Sequence, residues 1–455
     1  VMIDLVVQGK SIVTMDAQRR VLEDGFVAVD QGRIVALGGA GEQAPQAREV
    51  IDLPDSLVMP GMIDAHFHTT QYFLRGKTQF LANAGRLRLP VWRKFFVPFE
   101  YSLSYDEAYW SAIGAYRNLI RVGTTCFADA GGVQPDAMAR ALEESGLRGI
   151  LAISTLDQGT GLPENAVFST SEALDANAAL VERYRGAAGG RISAFLALRQ
   201  ITICSDELIA EMAKLAQALD VRVHIHLSEG AFEIDYCLER AGLRPVRYLE
   251  KLGFLSPRVH AAHAAMLTDD EVETLQAYDV SCAHCPSSNF TLFEKPRVPQ
   301  MRRCGIRMGL GSDGASHGSV DLLKEAKISY VAQISHFGAA YYDRHVVSDY
   351  DMVAMATCEG AKALGMEREI GSLEVGKRAD LLVYSLRNAN AFPSYDPYYT
   401  IARCLAGGDV DTTVVDGKIL LRNGQYTQLD DDVVFPQLQA TEQTLAERII
   451  PKSWA

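Results

Sequence analysis

Two rhythms of apolar and polar positions divide this chain. Over the first 55 or so residues, and again towards the far end, apolar residues come in short β-branched runs separated by turn residues. "LVVQGKSIVTM" and "GFVAVDQGRIVALGG" read as strands, with a turn at Asp30-Gln31-Gly32. "ADLLVYSL" and "DTTVVDGKILLRNG" read the same way, and Asp416-Gly417 is a strong hairpin signal. Strands from the two ends can pair into one small domain, which brings the termini near each other.

The long middle alternates instead. Apolar strand candidates stand at "TTCFADA", "GILAIS", "RISAFLAL", "VRVHIHL", "RVHAAH", "VSCAHC" and "IRMGLGSD". Helical patterns lie between several of them. The stretches Ser104 to Glu107 and Thr268 to Glu271 are S/T-x-x-E capping boxes, and "SDELIAEMAKLAQAL" has helical periodicity. With "LVMPGMIDAHFH" as the first, about eight strands alternate with helices, the pattern of a parallel (β/α)₈ TIM barrel. The predicted organisation is an α/β barrel over 58–365, flanked by a small β-sandwich domain built from both termini. Residues 1–57 supply its first part and 366–455 its second part plus a tail.

Length permits this. At 455 residues a bare length prior suggests about three domains, but a barrel absorbs 250 or more residues as one unit. Hydrophobic content of 48% and charged content of 22% fit a soluble globular chain. The net charge of −13 argues against nucleic acid or an anionic membrane as partner. No run of about 18 apolar residues predicts a membrane span, and "VMIDLVVQGKSIVTMD" lacks the pattern of a signal peptide. The eight cysteines are scattered through mostly apolar segments, which suits reduced thiols in the cytoplasm. A small molecule is the expected partner, and a homo-oligomer the expected assembly.

Candidate chemistry centres on histidine. Only ten occur, yet His66 and His68 stand one residue apart, as do His224 and His226. Random placement gives roughly 0.2 such pairs. Residues i and i+2 of a strand face the same way, so His66 and His68 can aim at one point in a barrel mouth, a natural pair of metal ligands. Two buried, hydrogen-bonded histidines are the alternative. In the second pair His226 ends the apolar run, while His224 lies about 6.6 Å deeper. His226 is therefore the expected ligand, and His224 a core or supporting group. Glu229 leaves the strand three residues later, placed either to work on a metal-bound water or simply as a solvated charge. His263 follows "RVHAA", with His260 earlier in that strand read as structural. Asp313 lies in "GLGSDGASHG", where a carboxylate can bind metal and accept a proton or merely sit in a turn.

Two motifs fail. "GSLEVGK", residues 371 to 377, imitates a phosphate loop, but Arg378 stands where Ser or Thr is needed and a strand follows instead of a helix. Cys282 and Cys285 form a CxxC with no second pair nearby, at the end of a strand. His284 between them would face the barrel mouth if the strand continues, as a supporting or a substrate-side group.

Together these segments resemble the amidohydrolase superfamily, and within it the aminohydrolase and chlorohydrolase (cytosine deaminase-like) group. "LVMPGMIDAHFH" is similar to the first barrel strand, "HIHLSE" to the fifth, "VHAAHAAML" to the sixth, "AHCPSSNFTL" to the seventh and "GLGSDGAS" to the eighth. "IGSLEVGKRADLLVY" and "VVDGKILLRNG" resemble the return into the small sandwich. The resemblance implies one divalent metal, zinc first and iron second, held by His66, His68, His226 and Asp313. It implies catalytic roles for Asp313 as proton acceptor, His263 on the attacking water or substrate, and Glu229 as proton shuttle. Binuclear relatives carry a carboxylated lysine on the fourth strand; "RISAFLALRQ" has none, which favours a single metal.

The chain also departs from the pattern. Deaminases of the group often show G-P-H-A-P after strand four; here "LRQITICS" stands in its place, with Arg199 where the histidine falls. His317 after Asp313 is a further departure, where relatives often carry Asn or Ser. "PVWRKFFVPFEYSLS" resembles the substrate-covering segment, with Trp92 and Glu100 as candidate contacts, or as ordinary packing and a solvated charge. The expected reaction is metal-dependent hydrolysis at an sp² carbon, cleaving C–N or C–Cl on a purine-, pterin- or triazine-type heterocycle. An amide or urea hydrolase of phenylurea type is the alternative. A non-catalytic scaffold would be expected to lose ligands or the proton shuttle, and all six residues are present.

Overall fold

A computed structural model describes residues 2–85, 90–292, 294–314, 316, 318–339 and 342–449. Its centre is a barrel of parallel strands. The first three are Met62–Phe67, Thr124–Asp129 and Arg148–Leu151. The fourth comes in two pieces, Ile192–Ala194 and Leu196–Gln200. Val223–Leu227, Val259–His263, Ser281–His284 and Met308–Leu310 complete the set. Almost every residue in them is buried, which is why they read as apolar runs and not as alternating ones.

The interruption at Phe195 divides the ladder into a four-stranded and a five-stranded sheet. Bonds from Phe195 N to Leu151 O (2.9 Å) and from Leu196 N to Arg222 O (3.0 Å) carry the pairing across the break. On the opposite side Asp313 N donates to His66 O at 3.0 Å and joins the end of strand eight to strand one. Close approach there requires glycine: a Cβ on Gly309 would lie 2.7 Å from Ala65 Cβ. The predicted capping boxes start their helices. Ser104 and Glu107 exchange bonds at the start of Tyr105–Arg121, and Thr268 N donates to a Glu271 oxygen at 3.0 Å before Asp269–Ala277.

The strands of the two ends form one eight-stranded sheet. Its halves meet where Leu381–Ser385 pairs antiparallel with Ala47–Pro60. Both predicted turns adopt the left-handed backbone their residues suggest, with φ of 50° and 75° at Gln31 and Gly32, and 53° and 76° at Asp416 and Gly417. The two turns touch, since a Cβ on Gly417 would lie 2.9 Å from Gly32 Cα. The sheet thus folds back over a core that includes Val7, Val29, Val58, Leu381 and Val414. Arg148 of the third barrel strand reaches into this domain and binds both oxygens of buried Asp380, at 2.8 and 3.0 Å. The final helix, Asp431–Ile449, returns to the barrel. Asp431 and Arg448 pair with Arg117 and Glu107 of the helix Tyr105–Arg121. Among the described residues no helix is long and apolar enough to cross a membrane.

Candidate metal centre and active-site cavity

Asp64, His66 and His68 project to one side of the first strand, as a period of two requires. His66 Nε2 lies 2.9 Å from Asp313 Oδ1, and His68 Nε2 lies 3.4 Å from the same oxygen. His226, at the end of strand five, brings its Nε2 to 3.2 Å from His68 Nε2. A nitrogen of His263, at the end of strand six, lies within 4.8 Å of donor atoms of His66 and His226. Four imidazoles and a carboxylate therefore converge on one buried point.

This donor set fits a divalent cation. Tetrahedral ligands held about 2.0–2.1 Å from an ion lie about 3.4 Å apart, close to the separations seen. A ligand imidazole must be neutral, and burial pushes His68 and His226 well below the usual histidine range, reinforced at His68 by Arg199 and at His226 by His66. No lysine occurs in the fourth strand to bridge a second ion.

His224 points into the same interior but lower. Its Nε2 lies 2.9 Å from His66 Nδ1. With His66 Nε2 turned to the ligand cluster, Nδ1 carries the proton and donates to His224, which fixes the His66 ring. His260 bonds Ser281 Oγ and Ala65 O, at 3.0 and 2.8 Å, well away from the cluster. Buried Asp64 supports from below. It accepts from His66 N, Ser312 N and Ser312 Oγ, tying strand one to the chain just before Asp313. Its carboxyl is pushed up to about 7 by burial.

The backbone turns sharply where these side chains emerge. Ser228, His263, Ala264 and Asp313 all adopt positive φ, between 45° and 68°. Such a conformation costs a non-glycine residue free energy and persists only where neighbours enforce it. At Ser228 the enforcer is Glu233, whose two carboxylate oxygens accept from Ser228 N (3.0 Å) and Glu229 N (3.1 Å). That grip directs Glu229 over the cluster. Gln200 Nε2 donates to Glu229 Oε2 at 3.0 Å. Burial raises the Glu229 carboxyl well above its ordinary range, and the charges of Asp313, Glu294 and Glu233 push the same way. The protonated form of Glu229 is thereby favoured relative to an ordinary carboxylate.

Above the cluster opens a cavity of about 1070 Å³. His68, His226, Glu229 and Asp313 form part of its floor, and Trp92, Phe96, Phe232, Met266 and Leu292 supply apolar wall. Of the other predicted substrate contacts, Trp92 and Arg199 stand on the wall. Glu100 does not. It is buried in an ion pair with Arg199 at 2.9 Å, and its second oxygen accepts from Gln71 at 2.7 Å. It therefore orients Arg199 and is not a solvated charge. His284 needs correction too. The seventh strand ends at this residue, and its ring bonds buried Ser329 Oγ at 3.0 Å, edge-on to Phe290, and does not line the cavity. His317 lies outside the described residues.

Three wall or support residues escaped the sequence reading. Gln200 follows Arg199 with no motif to mark it. Asn289 and Glu294 come from the short helix and turn after strand seven. Asn289 Nδ2 lies 3.2 Å from His263 Nδ1 and 2.7 Å from Glu294 Oε2. Glu294 lines the cavity, and burial pushes its carboxyl up to about 8.

A parallel barrel with buried imidazole and carboxylate donors at the C-terminal ends of its strands, beneath an apolar cavity, defines a metal-dependent hydrolase. The comparisons with known proteins agree. The model of the Amidohydrolase family matches residues 57–420, and the chain belongs to that family. It is 36% identical over 424 residues to a 5-methylthioadenosine/S-adenosylhomocysteine deaminase of Symbiobacterium thermophilum, covering 91% of this chain and 93% of that one. It is 32% identical over 426 residues to a 5'-deoxyadenosine deaminase of Methanobrevibacter smithii, covering 93% and 94%. Among solved structures, an adenosine deaminase from Xanthomonas campestris with bound zinc superposes with a TM-score of 0.87 at 25% identity, over 98% of each chain.

Proposed function

We propose that this protein hydrolytically deaminates an N-heterocycle, displacing ammonia from an sp² ring carbon. The observation that carries the reading is Glu229, gripped by Gln200, beside the His66–His68–His226–Asp313 cluster on the floor of an apolar cavity. The names of the curated relatives, deaminases of adenosine-type compounds, support a heterocycle over an amide or urea. His66, His68, His226 and Asp313 would hold one divalent cation, zinc before iron for three imidazoles and a carboxylate. When bound, the cation acidifies water, making a nucleophile available near neutral pH.

The chain's own residues handle the protons. Asp313 takes the proton released as water attacks the ring carbon. His263 steadies the attacking oxygen by hydrogen bonding. Glu229 gives a proton to the ring nitrogen and regains one from the hydroxyl of the tetrahedral adduct, while the proton taken by Asp313 leaves with the amine as ammonia. Gln200 keeps the donating oxygen in place. Trp92 and Phe232, with ring centres 6.1 Å apart, offer aromatic surface to a flat ring. Arg199, neutralised by Glu100, offers N–H donors to an acceptor on the substrate. Eight free thiols, five of them buried, fit a reducing compartment, and the cytoplasm is the proposed location.

The test is a substrate screen of metal-loaded protein. Aminopurines and their nucleosides, pterins, triazines, anilides and phenylureas are compared, with ammonia and amine release scored separately. Ammonia from a heterocyclic amine is the expected result. Amine release from anilides or phenylureas alone would overturn it. Metal analysis is expected to give one equivalent per chain, and two equivalents would reject the single-metal centre.

A further inference from the structure

His263 stands where the metal cluster leaves a choice open. One of its nitrogens lies as close to donor atoms of His66 and His226 as a further ligand would. Its behaviour depends on which nitrogen carries the proton. A lone pair on Nε2 binds a cation, whereas an N–H on Nε2 donates to water or to a developing oxyanion.

The far side of the ring settles the matter. Asn289 is fully buried on the helix Pro286–Thr291. Its Nδ2 lies 3.2 Å from His263 Nδ1 and 2.7 Å from Glu294 Oε2. Its Oδ1 has no hydrogen-bond partner among the described residues. An amide carries two N–H donors and one acceptor oxygen. In this orientation both donors are used. Turned over, the amide would set its oxygen against Glu294 Oε2 and take both donors away from His263 Nδ1 and Glu294. Nδ2 is thus the donor to His263 Nδ1. A ring nitrogen that accepts carries no proton, so the neutral ring holds its proton on Nε2. Glu294 fixes the sense of the amide through the oxygen that accepts from Nδ2 at 2.7 Å.

We propose that Asn289, locked by Glu294, is a positioning residue that holds His263 in the Nε2–H tautomer. His263 then serves the reaction as a hydrogen-bond donor and does not compete with His68 and Asp313 for the metal. This rests on the hydrolase reading above, but its central measurement needs no substrate.

The experiment is ¹⁵N NMR of the metal-loaded protein with labelled histidine, the His263 signals being those lost in His263→Asn. Nδ1 unprotonated and Nε2 protonated is expected. Asn289→Asp offers a carboxylate to Nδ1 and draws the proton there. It should reverse the signature, slow metal loss to a chelator by about tenfold or more, and lower kcat about 10²–10⁴-fold with KM little changed, the scale of a wrong-tautomer lesion. Glu294→Gln keeps an acceptor and should keep the Nε2–H signature, whereas Glu294→Leu should mix the two tautomers. If Asn289→Asp fails to fold, Asn289→Ala removes the donor and should also mix them. A wild-type ring with its proton on Nδ1, or Asn289→Asp with the wild-type signature, overturns the proposal. Absence of heterocycle deamination would overturn the functional reading and leave the tautomer result standing.

Discussion

His224 and His226 belong to one strand, yet do different work. His226 lies at the level of His68, and His224 one pleat below, against His66. His226→Ala is expected to strip the metal. His224→Ala removes only the acceptor that orients His66, and should weaken metal affinity about 10–100-fold, as loss of an outer partner does. Metal content after dialysis against a graded chelator separates the two, and equal losses would show His224 to be a ligand. At Glu229 the chemistry can be removed without the shape. Glu229→Gln keeps a partner for Gln200 but gives up proton transfer. Metal occupancy should stay full while kcat falls about 10²–10⁴-fold. Loss of metal would make Glu229 a ligand, and unchanged turnover would give its role to another group.

The turn after strand five shows how an element aims a side chain. Ser228 is held at positive φ because Glu233 accepts two successive backbone N–H groups. Burial raises the Glu233 carboxyl from 4.5 to about 7. Between those values the folded protein binds more protons than the unfolded chain, so this group's contribution to stability falls as pH rises. Glu233→Gln removes the titration and leaves one N–H without a carboxylate oxygen. Urea unfolding of both proteins at pH 5 and pH 8 should show wild type losing stability relative to the variant as pH rises, on the order of 3 kcal/mol. An unchanged difference would show that Glu233 stays ionised throughout. Activity of the variant should also drop, since Glu229 loses its anchor. The strand and the direction of His226 were legible from an apolar run ending in a charged turn. The role of Glu233 was not, because a glutamate on a helix reads as solvated until its partners are known.

For the whole molecule, the barrel and the terminal sheet are clamped by Arg148 and Asp380. Removing one member of a buried, hydrogen-bonded pair leaves the other charge stranded. Arg148→Ala should therefore destabilise the protein by about 3–5 kcal/mol in urea unfolding, while Arg148→Met with Asp380→Leu should lose much less. A small effect of the single change would mean that water replaces the pair. What the sequence determined by itself was what repeats locally. Period-two histidines on strand one, apolar runs between helical stretches, Asp-Gly and Gln-Gly turns, and capping boxes each carry their signal within a few residues. They were enough for a barrel, a sheet from both ends and His66 with His68 as a candidate ligand pair, while the full set with His226, Glu229, His263 and Asp313 came from the resemblance of longer segments to the amidohydrolase superfamily. Tertiary structure alone decided which residues support that set. Glu100 meets Arg199 across 99 residues, His66 meets His224 across 158, and Asp64 meets Ser312 across 248. His284 turned to Ser329 and Asn289 to His263 for the same reason. A hydrogen bond depends on distance and angle in space, and separation along the chain leaves no trace of it in the local pattern.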